Sequence, residues 1–373
     1  MSNRKLAVVV GAVSIVVLSL ANSDGGARTQ GGTGAATEPG AGNGWKATRA
    51  PWGDPDLQGI WASGYIAIPL ERPDTFQGRE FLTDEEVRAE EKGMLERQDH
   101  STGGPLPALR TLKPGDPGGY NTIFSGRGRE VIRTRRTSLV VDPPHGKIPW
   151  KPELRDRVLA EARPSDISDA GPPGSLRTNV WSAVPDSNDK GDGPEERPND
   201  RCRGLTLPHV YGTAEAGGAP LRIVQSAGIV SIYYEYGPHG GAYRQIPVDG
   251  RPHLPFQIRQ WLGDPRGRWE GDTLMVDTTN FTNQTNYRGS RENLHLVERF
   301  TRAAPDLIMY RATIDDPTVF TRSWTIEVPL TKQDDKANQI FETACHEGNY
   351  ALIGILTGFR AIEKEKAANQ KRR

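Results

Sequence analysis

The tightest constraint on this chain is a two-residue alternation in its C-terminal half. Trp324, Ile326, Val328 and Leu330 alternate with Thr325, Glu327 and Pro329, the period of a strand with one apolar and one wet face. The texture recurs upstream. Residues 221–226, an Ala227-Gly228 turn and residues 229–236 read as one hairpin. Arg268-Trp269, a Glu270-Gly271-Asp272 turn and residues 273–281 read as another. Residues 294–302, 306–315, 321–330 and 339–345 follow at near-regular spacing. Four to six antiparallel strands joined by short turns predict a mainly β fold, a meander forming a barrel-like or strongly curled sheet with a few peripheral helices. A barrel and a sandwich both satisfy this pattern.

The remaining chain divides by composition. Arg4 and Lys5 precede an apolar run over residues 6–20, and Ala21-Asn22-Ser23 supplies the small-x-small pattern that a signal peptidase reads. Residues 1–23 are therefore read as a secretory signal, too short for a comfortable membrane span. Residues 24–44, rich in Gly, Ala and Thr, bury nothing that offsets their ordering entropy and read as a flexible linker. Residues 45–204 form an irregular region with short helices and strands packed on the main domain. Thr83 followed by Asp84, Glu85 and Glu86 has the form of a capping box opening a charged surface helix to about residue 98. Residues 131–142 read as a β segment, residues 153–162 as a short helix, and residues 163–200 as a long connection. The antiparallel β domain spans residues 205–366 and ends in a helix from about residue 349, and residues 367–373 form a basic tail.

Charge and cysteine usage bound the partners. The chain carries 47 basic and 47 acidic residues, so no whole-protein field favours nucleic acid or an anionic membrane. The two cysteines, Cys202 and Cys345, stand far apart. In an oxidising compartment a disulfide between them would stabilise by roughly 4–5 kcal/mol in the chain-entropy model. Two separate thiols are the alternative, since sequence gives no distance.

Chemistry has few places to reside. His253 lies in Asp249-Gly-Arg-Pro-His253 with a carboxylate and a guanidinium, Asp249 and Arg251, nearby. His346 and Glu347 sit at the join between the last expected strand and the terminal helix. A histidine oriented by a carboxylate is a natural acid or base. His253, His346, Glu347, Asp249 and Arg251 are thus the candidate catalytic set. The block of residues 263–272 crowds Asp264, Arg266, Arg268, Glu270 and Asp272 around glycines, which is also ordinary tight-turn chemistry. The other histidines at 100, 145, 209 and 295 read as background. Tyr233, Tyr234 and Tyr236 place rings on both faces of one strand. With Trp261, Trp269, Arg266 and Arg268 they are the candidate ligand-binding residues, and core packing is the alternative role for the rings. His239, His253, His346 and Glu347 are zinc-ligand types without a diagnostic spacing. No metal or cofactor is expected. Serine-hydrolase elbows, phosphate loops and dinucleotide fingerprints are absent.

Three stretches carry a resemblance: GDPRGRWEGDTLMVDTTNF over residues 263–281, ENLHLVERF over residues 292–300, and CHEGNY over residues 345–350. Together with DLQGIW at residues 56–61 they resemble a family of secreted, functionally uncharacterised bacterial proteins, over most of residues 51–362. The resemblance implies export and transfers no activity and no catalytic residue.

The expectation is an exported periplasmic or extracellular β-barrel-like protein that binds a small organic molecule. It implies no nucleic acid and no stable membrane association after signal removal. The alternatives are a cofactor-free acid/base enzyme, such as a lyase, isomerase or hydrolase using His253 and His346, and a structural or envelope-interaction protein without a small ligand. Export has a direct test. Expressed in a bacterial host, the chain should appear in the periplasm or medium with Asp24 as its first residue by N-terminal sequencing. A full-length chain confined to the cytoplasm would contradict it.

Overall fold

The computed structural model describes residues 45–62, 69–102, 131–155, 206–209, 220–235, 242–336, 340, 347 and 351–370. The expected signal, linker and long connection lie outside these residues, as do residues 371–373 of the expected basic tail, whose residues 367–370 instead continue the C-terminal helix. Tyr236, His239, Cys202, Cys345 and His346 also lie outside the described residues.

The protein is mainly β. Ten strands run in chain order: β1 (Gly59–Ala62), β2 (Val140–Asp142), β3 (Leu221–Ser226), β4 (Ile229–Tyr234), β5 (Ala242–Pro247), β6 (Asp264–Glu270), β7 (Thr273–Thr279), β8 (His295–Ala304), β9 (Leu307–Asp315) and β10 (Trp324–Lys332). The long helices among the described residues are α1 (Asp84–Thr102) and α2 (Ala351–Gln370), with a short 3-10 turn at Asp74–Phe76. Neither is long and apolar enough to cross a membrane, a statement that covers the described residues only. The strands form one antiparallel sheet in the order β5-β4-β3-β1-β10-β9-β8-β7-β6. β10 is long enough to take two partners on one edge. β1 pairs with its Thr331 and Lys332, and β2 with its Thr325 and Ile326.

The alternation read from the sequence decides which side chains enter the sheet's concave side. Along β4 Val230, Ile232 and Tyr234 are buried, along β8 Leu296, Glu298 and Phe300, and along β9 Ile308, Tyr310, Ala312 and Ile314. These belong to one continuous core that also takes in Trp61 of β1 and Trp324 of β10. β1 thus inserts a segment of the irregular N-terminal region between β3 and β10, so that region supplies a strand of the sheet. Trp61 fixes it. Its ring lies 4.6 Å from the Arg302 guanidinium and its Nε1 donates to the Leu57 carbonyl at 2.9 Å. Gln225 of β3 holds the approach, accepting from the Leu57 amide at 2.6 Å and donating to the Pro55 carbonyl at 3.1 Å.

The path's two ends, β5 and β6, come side by side, which nearly closes the sheet into a barrel. Gly267 of β6 permits this approach. A Cβ there would stand 2.9 Å from Ile246 Cγ2 and 3.0 Å from Val248 Cγ2, both on stiff β-branched side chains. Backbone-to-side-chain packing at this seam does what a hydrogen-bonded ladder does elsewhere in the sheet.

Local expectations fare unevenly. The capping box forms as read: the Glu86 amide donates to Thr83 Oγ1 at 3.2 Å, and the Thr83 amide donates to Glu86 Oε2 at 2.9 Å. Of the β segment expected over residues 131–142, only β2 is strand. The preceding residues fold back along residues 80–82, with Arg135 at φ 53° and the Leu82 amide donating to the Arg135 carbonyl at 2.8 Å. A left-handed residue breaks the extended run that a β-rich composition suggests.

Gly267→Val should overpack the β5–β6 seam and lower unfolding free energy in urea by about 1–3 kcal/mol. An unchanged midpoint would show that β5 and β6 do not pack closely.

Candidate functional site

Two polar clusters stand out, one on each side of the β5–β8 part of the sheet. Strand parity separates them. Val276, Thr278, Leu296 and Glu298 lie on the buried face, so Asp277, between the first two, and His295, next to Leu296, face outward.

The inner cluster is built around Arg244 of β5, which is only 3% exposed. Its Nη2 stands 2.6 Å from Glu298 Oε2 of β8 and donates to Thr278 Oγ1 of β7 at 2.6 Å. Glu298 is 0% exposed and its other oxygen accepts from the Tyr310 hydroxyl at 3.0 Å. The Arg244–Glu298 contact is close without being well aligned, an ion pair more than a hydrogen bond. Burial pulls the guanidinium pKa down, but the Glu298 carboxylate outweighs it and holds Arg244 charged. Burial pushes the Tyr310 phenol well up, and Glu298 adds to that shift. Burial also raises the Tyr234 phenol, against the pull of nearby Arg244. Arg244 Nε and Nη1 are buried and make no hydrogen bond of good length and angle among the described residues.

The outer cluster gathers around His253, in the connection between β5 and β6. Its Nδ1 lies 3.1 Å from Asp264 Oδ2, and its Nε2 lies 3.1 Å from Asp277 Oδ1. His295 Nε2 lies 3.2 Å from both oxygens of the same Asp277. Asp264 is buried and heavily committed. Oδ2 also accepts from the Leu254 amide at 2.8 Å, and Oδ1 accepts from Arg266 Nη1 at 2.7 Å. The connection is pinned further by Arg266 Nε on the Pro252 carbonyl at 2.7 Å and Asn280 Nδ2 on the Leu254 carbonyl at 2.9 Å. The hydrogen bond from His295 holds the Asp277 carboxyl below its ordinary range. In return that bond raises the His295 imidazole, against the effect of its partial burial. The His295 and His253 side chains keep 42% and 31% of their surface exposed, so solvent reaches the row. A carboxylate-oriented, exposed imidazole such as His295 is chemically fit to exchange protons or bind a cation.

The residues singled out in the sequence are distributed over several places. His253 and Arg266 meet at Asp264 in the outer cluster. Tyr234 sits in the inner one, while Tyr233 opposes Tyr243 across the β4–β5 ladder. Asp249 and Arg251 pair with each other, and the carboxylates on the His253 ring are Asp264 and Asp277. Arg268 joins an exposed row with Glu270 at 2.7 Å, and Glu270 also takes Arg299 at 2.5 Å. Trp269 packs partly buried against the core, and Trp261 offers its carbonyl to Thr285 Oγ1 at 2.8 Å. Glu347 is exposed in a turn. His346, Tyr236, Cys202 and Cys345 lie outside the described residues.

Sequence reading passed over Arg244, Glu298, Tyr310 and Asp277 and assigned His295 to background. One signal was legible: Glu298 shares parity with Leu296 and Phe300, so a charge stands on the apolar side of a strand. No match is found when the chain is compared with protein-family models, and none when it is compared with curated proteins.

Proposed function

We propose that this is an exported protein whose barrel-like sheet binds a small organic molecule on its inner side, at Arg244. The observation that carries the reading is that two donors of a buried guanidinium, Nε and Nη1, make no hydrogen bond of good length and angle among the described residues, with the Tyr234 hydroxyl beside the guanidinium. Unmet buried donors cost about 1–3 kcal/mol each and are rare in native proteins. A ligand oxygen removes that cost. The ion pair itself is also expensive, since an apolar pair of similar volume is often as stable or more so. Its place amid Ile232, Ile246, Val276 and Leu296 fits a device for recognition more than for stability.

The chemistry selects the ligand class. Glu298 already balances the charge of Arg244, so the open donors suit a carbonyl, a hydroxyl or a single carboxylate in preference to a polyanion. Tyr234 and Tyr310 bring aromatic surface beside those donors and favour a body that is flat or ring-shaped. Export rests on residues 1–23 and on the resemblance to secreted proteins.

A thermal-shift screen of small carboxylic acids, ketones and cyclic alcohols, followed by calorimetry on the hits, tests the reading. Removing Arg244 alone would strand a buried carboxylate, so the diagnostic variant is Arg244→Met combined with Glu298→Gln. We expect a saturable ligand of the wild-type chain whose affinity drops at least about tenfold in the folded double variant, the loss of a charge-assisted hydrogen bond. No ligand across the screen, or undiminished binding by the double variant, would overturn the proposal.

A further inference from the structure

The outer face of β6–β10 carries a row of charges that alternates in sign except at one place. Strand parity puts Arg268, Arg299, Arg311 and Glu327 on that face. Arg299 stands directly opposite Arg311, and Arg311 directly opposite Glu327. Arg268 opposes Met275, which opposes Arg299, so these charges share one line across the strands. Glu270 bridges the first two cations, 2.7 Å from Arg268 Nη2 and 2.5 Å from Arg299 Nη1. Glu327 bridges the next two, 2.5 Å from Arg311 Nε and 3.3 Å from Arg136 Nε. Arg136 then closes the row on Glu80. Four guanidiniums thus share three carboxylates, and the absent fourth falls between Arg299 and Arg311.

That gap is destabilising as it stands. Side chains directly opposite on neighbouring strands have Cβ atoms about 4.5–5.5 Å apart, and like charges there repel. Each guanidinium is tied to a carboxylate on the side away from the other, and among the described residues no carboxylate bonds both. Their side chains keep 42% and 50% of their surface exposed. Hydroxyls flank them. Thr301 follows Arg299 on the same face of β8, and Thr313 follows Arg311 on the same face of β9. Thr301 shares a hydrogen bond with Thr273 at 2.8 Å, and Thr313 shares one with Thr325 at 2.9 Å. Each pair uses one hydroxyl hydrogen internally and keeps one to donate.

We propose that Arg299 and Arg311, flanked by Thr301 and Thr313, form a binding site for one tetrahedral oxyanion, a phosphate or sulfate group. Guanidinium forks match such groups in geometry as well as charge. The forks are held in advance of binding, one by Glu270 and one by Glu327, whose side chain is only 4% exposed. Hydrogen bonds from Arg299 and Arg268 hold the Glu270 carboxyl below its ordinary range, so that anchor is ionised at neutral pH. The guanidiniums and hydroxyls together offer more donors than the oxygens of a carboxylate can use, which favours a tetrahedral group. An oxyanion in the gap makes the row alternate throughout and relieves the repulsion. Because the gap opens to solvent, it takes the free ion or the same group carried as an ester. The site shares no side chain with the inner cluster around Arg244.

The test is calorimetric titration of the full chain with inorganic phosphate, inorganic sulfate and glucose 6-phosphate, at constant ionic strength set with chloride. We expect saturable binding that Arg299→Gln and Arg311→Gln each weaken at least about tenfold, the loss of a charge-assisted hydrogen bond. Both are exposed side chains, so the variants should fold. Arg299→Lys combined with Arg311→Lys keeps the charge and removes both forks, and should also weaken binding at least about tenfold. Lys147→Gln removes a cation paired with Asp74 elsewhere on the surface and should change nothing. Equal affinity for phosphate and its sugar ester assigns the site to the free ion, and tighter binding of the ester assigns it to a phosphorylated ligand. No saturable binding of the three probes, or undiminished binding by the glutamine variants, would overturn the proposal. Full affinity in the lysine variant would also overturn it, as a sign of diffuse attraction to positive charge. Arg244→Met combined with Glu298→Gln leaves the row intact and should bind phosphate as the wild-type chain does, which separates this site from the inner one.

Discussion

The Arg244–Glu298 pair is the interaction on which the rest of this structure turns. It links β5, one end of the strand path, to β8, the third strand from the other end, across a seam where the sheet is held by packing. The nearly closed sheet brings the Arg244 and Glu298 side chains of those two strands to 2.6 Å. Closure in turn requires Gly267, because β5 cannot approach a β6 that carries a side chain there. The pair, the glycine and the barrel-like curvature are thus one constraint seen at three places. Tyr310 donates to the Glu298 oxygen that the pair leaves open, and Thr278 accepts from the same Nη2 that faces Glu298.

Closure also explains how one connection serves the outer cluster. The chain leaves β5 after Pro247 and must return to start β6 at Asp264 on the neighbouring position of the same sheet. That geometry lays residues 249–263 over the outer ends of β6, β7 and β8. His253 then falls between Asp264 of β6 and Asp277 of β7, within the row that ends at His295 of β8. The inner and outer clusters therefore share strands without sharing side chains. β7 contributes Thr278 inward and Asp277 outward, and β8 contributes Glu298 inward and His295 outward.

Much of the fold was legible because parity and turn chemistry are local signals. The β3–β4 and β6–β7 hairpins follow from alternation and from Gly228 and Gly271, both at positive φ. The capping box at Thr83 followed from four consecutive residues. β1 and β5 were not read. The first is a short run whose pairing partners lie far away in sequence, and the second, Ala242–Pro247, mixes Arg and Gln into its inner and outer faces. The site was legible only in fragments. His253 was noticed, but its partners Asp264 and Asp277 are 11 and 24 residues distant and meet it only through the sheet. Arg244 and Glu298 are 54 residues apart by their numbers, and no spacing rule joins them.

Glu298 holds Arg244 charged and fixed inside the barrel-like sheet. A double-mutant cycle on unfolding free energy, using Arg244→Met, Glu298→Gln and the two together, tests it most directly. Each single change should cost about 3–5 kcal/mol by stranding its partner, and the double variant should cost clearly less than their sum. Additive losses would show that the two side chains do not sense each other, and that neither closure nor recognition is built on their contact.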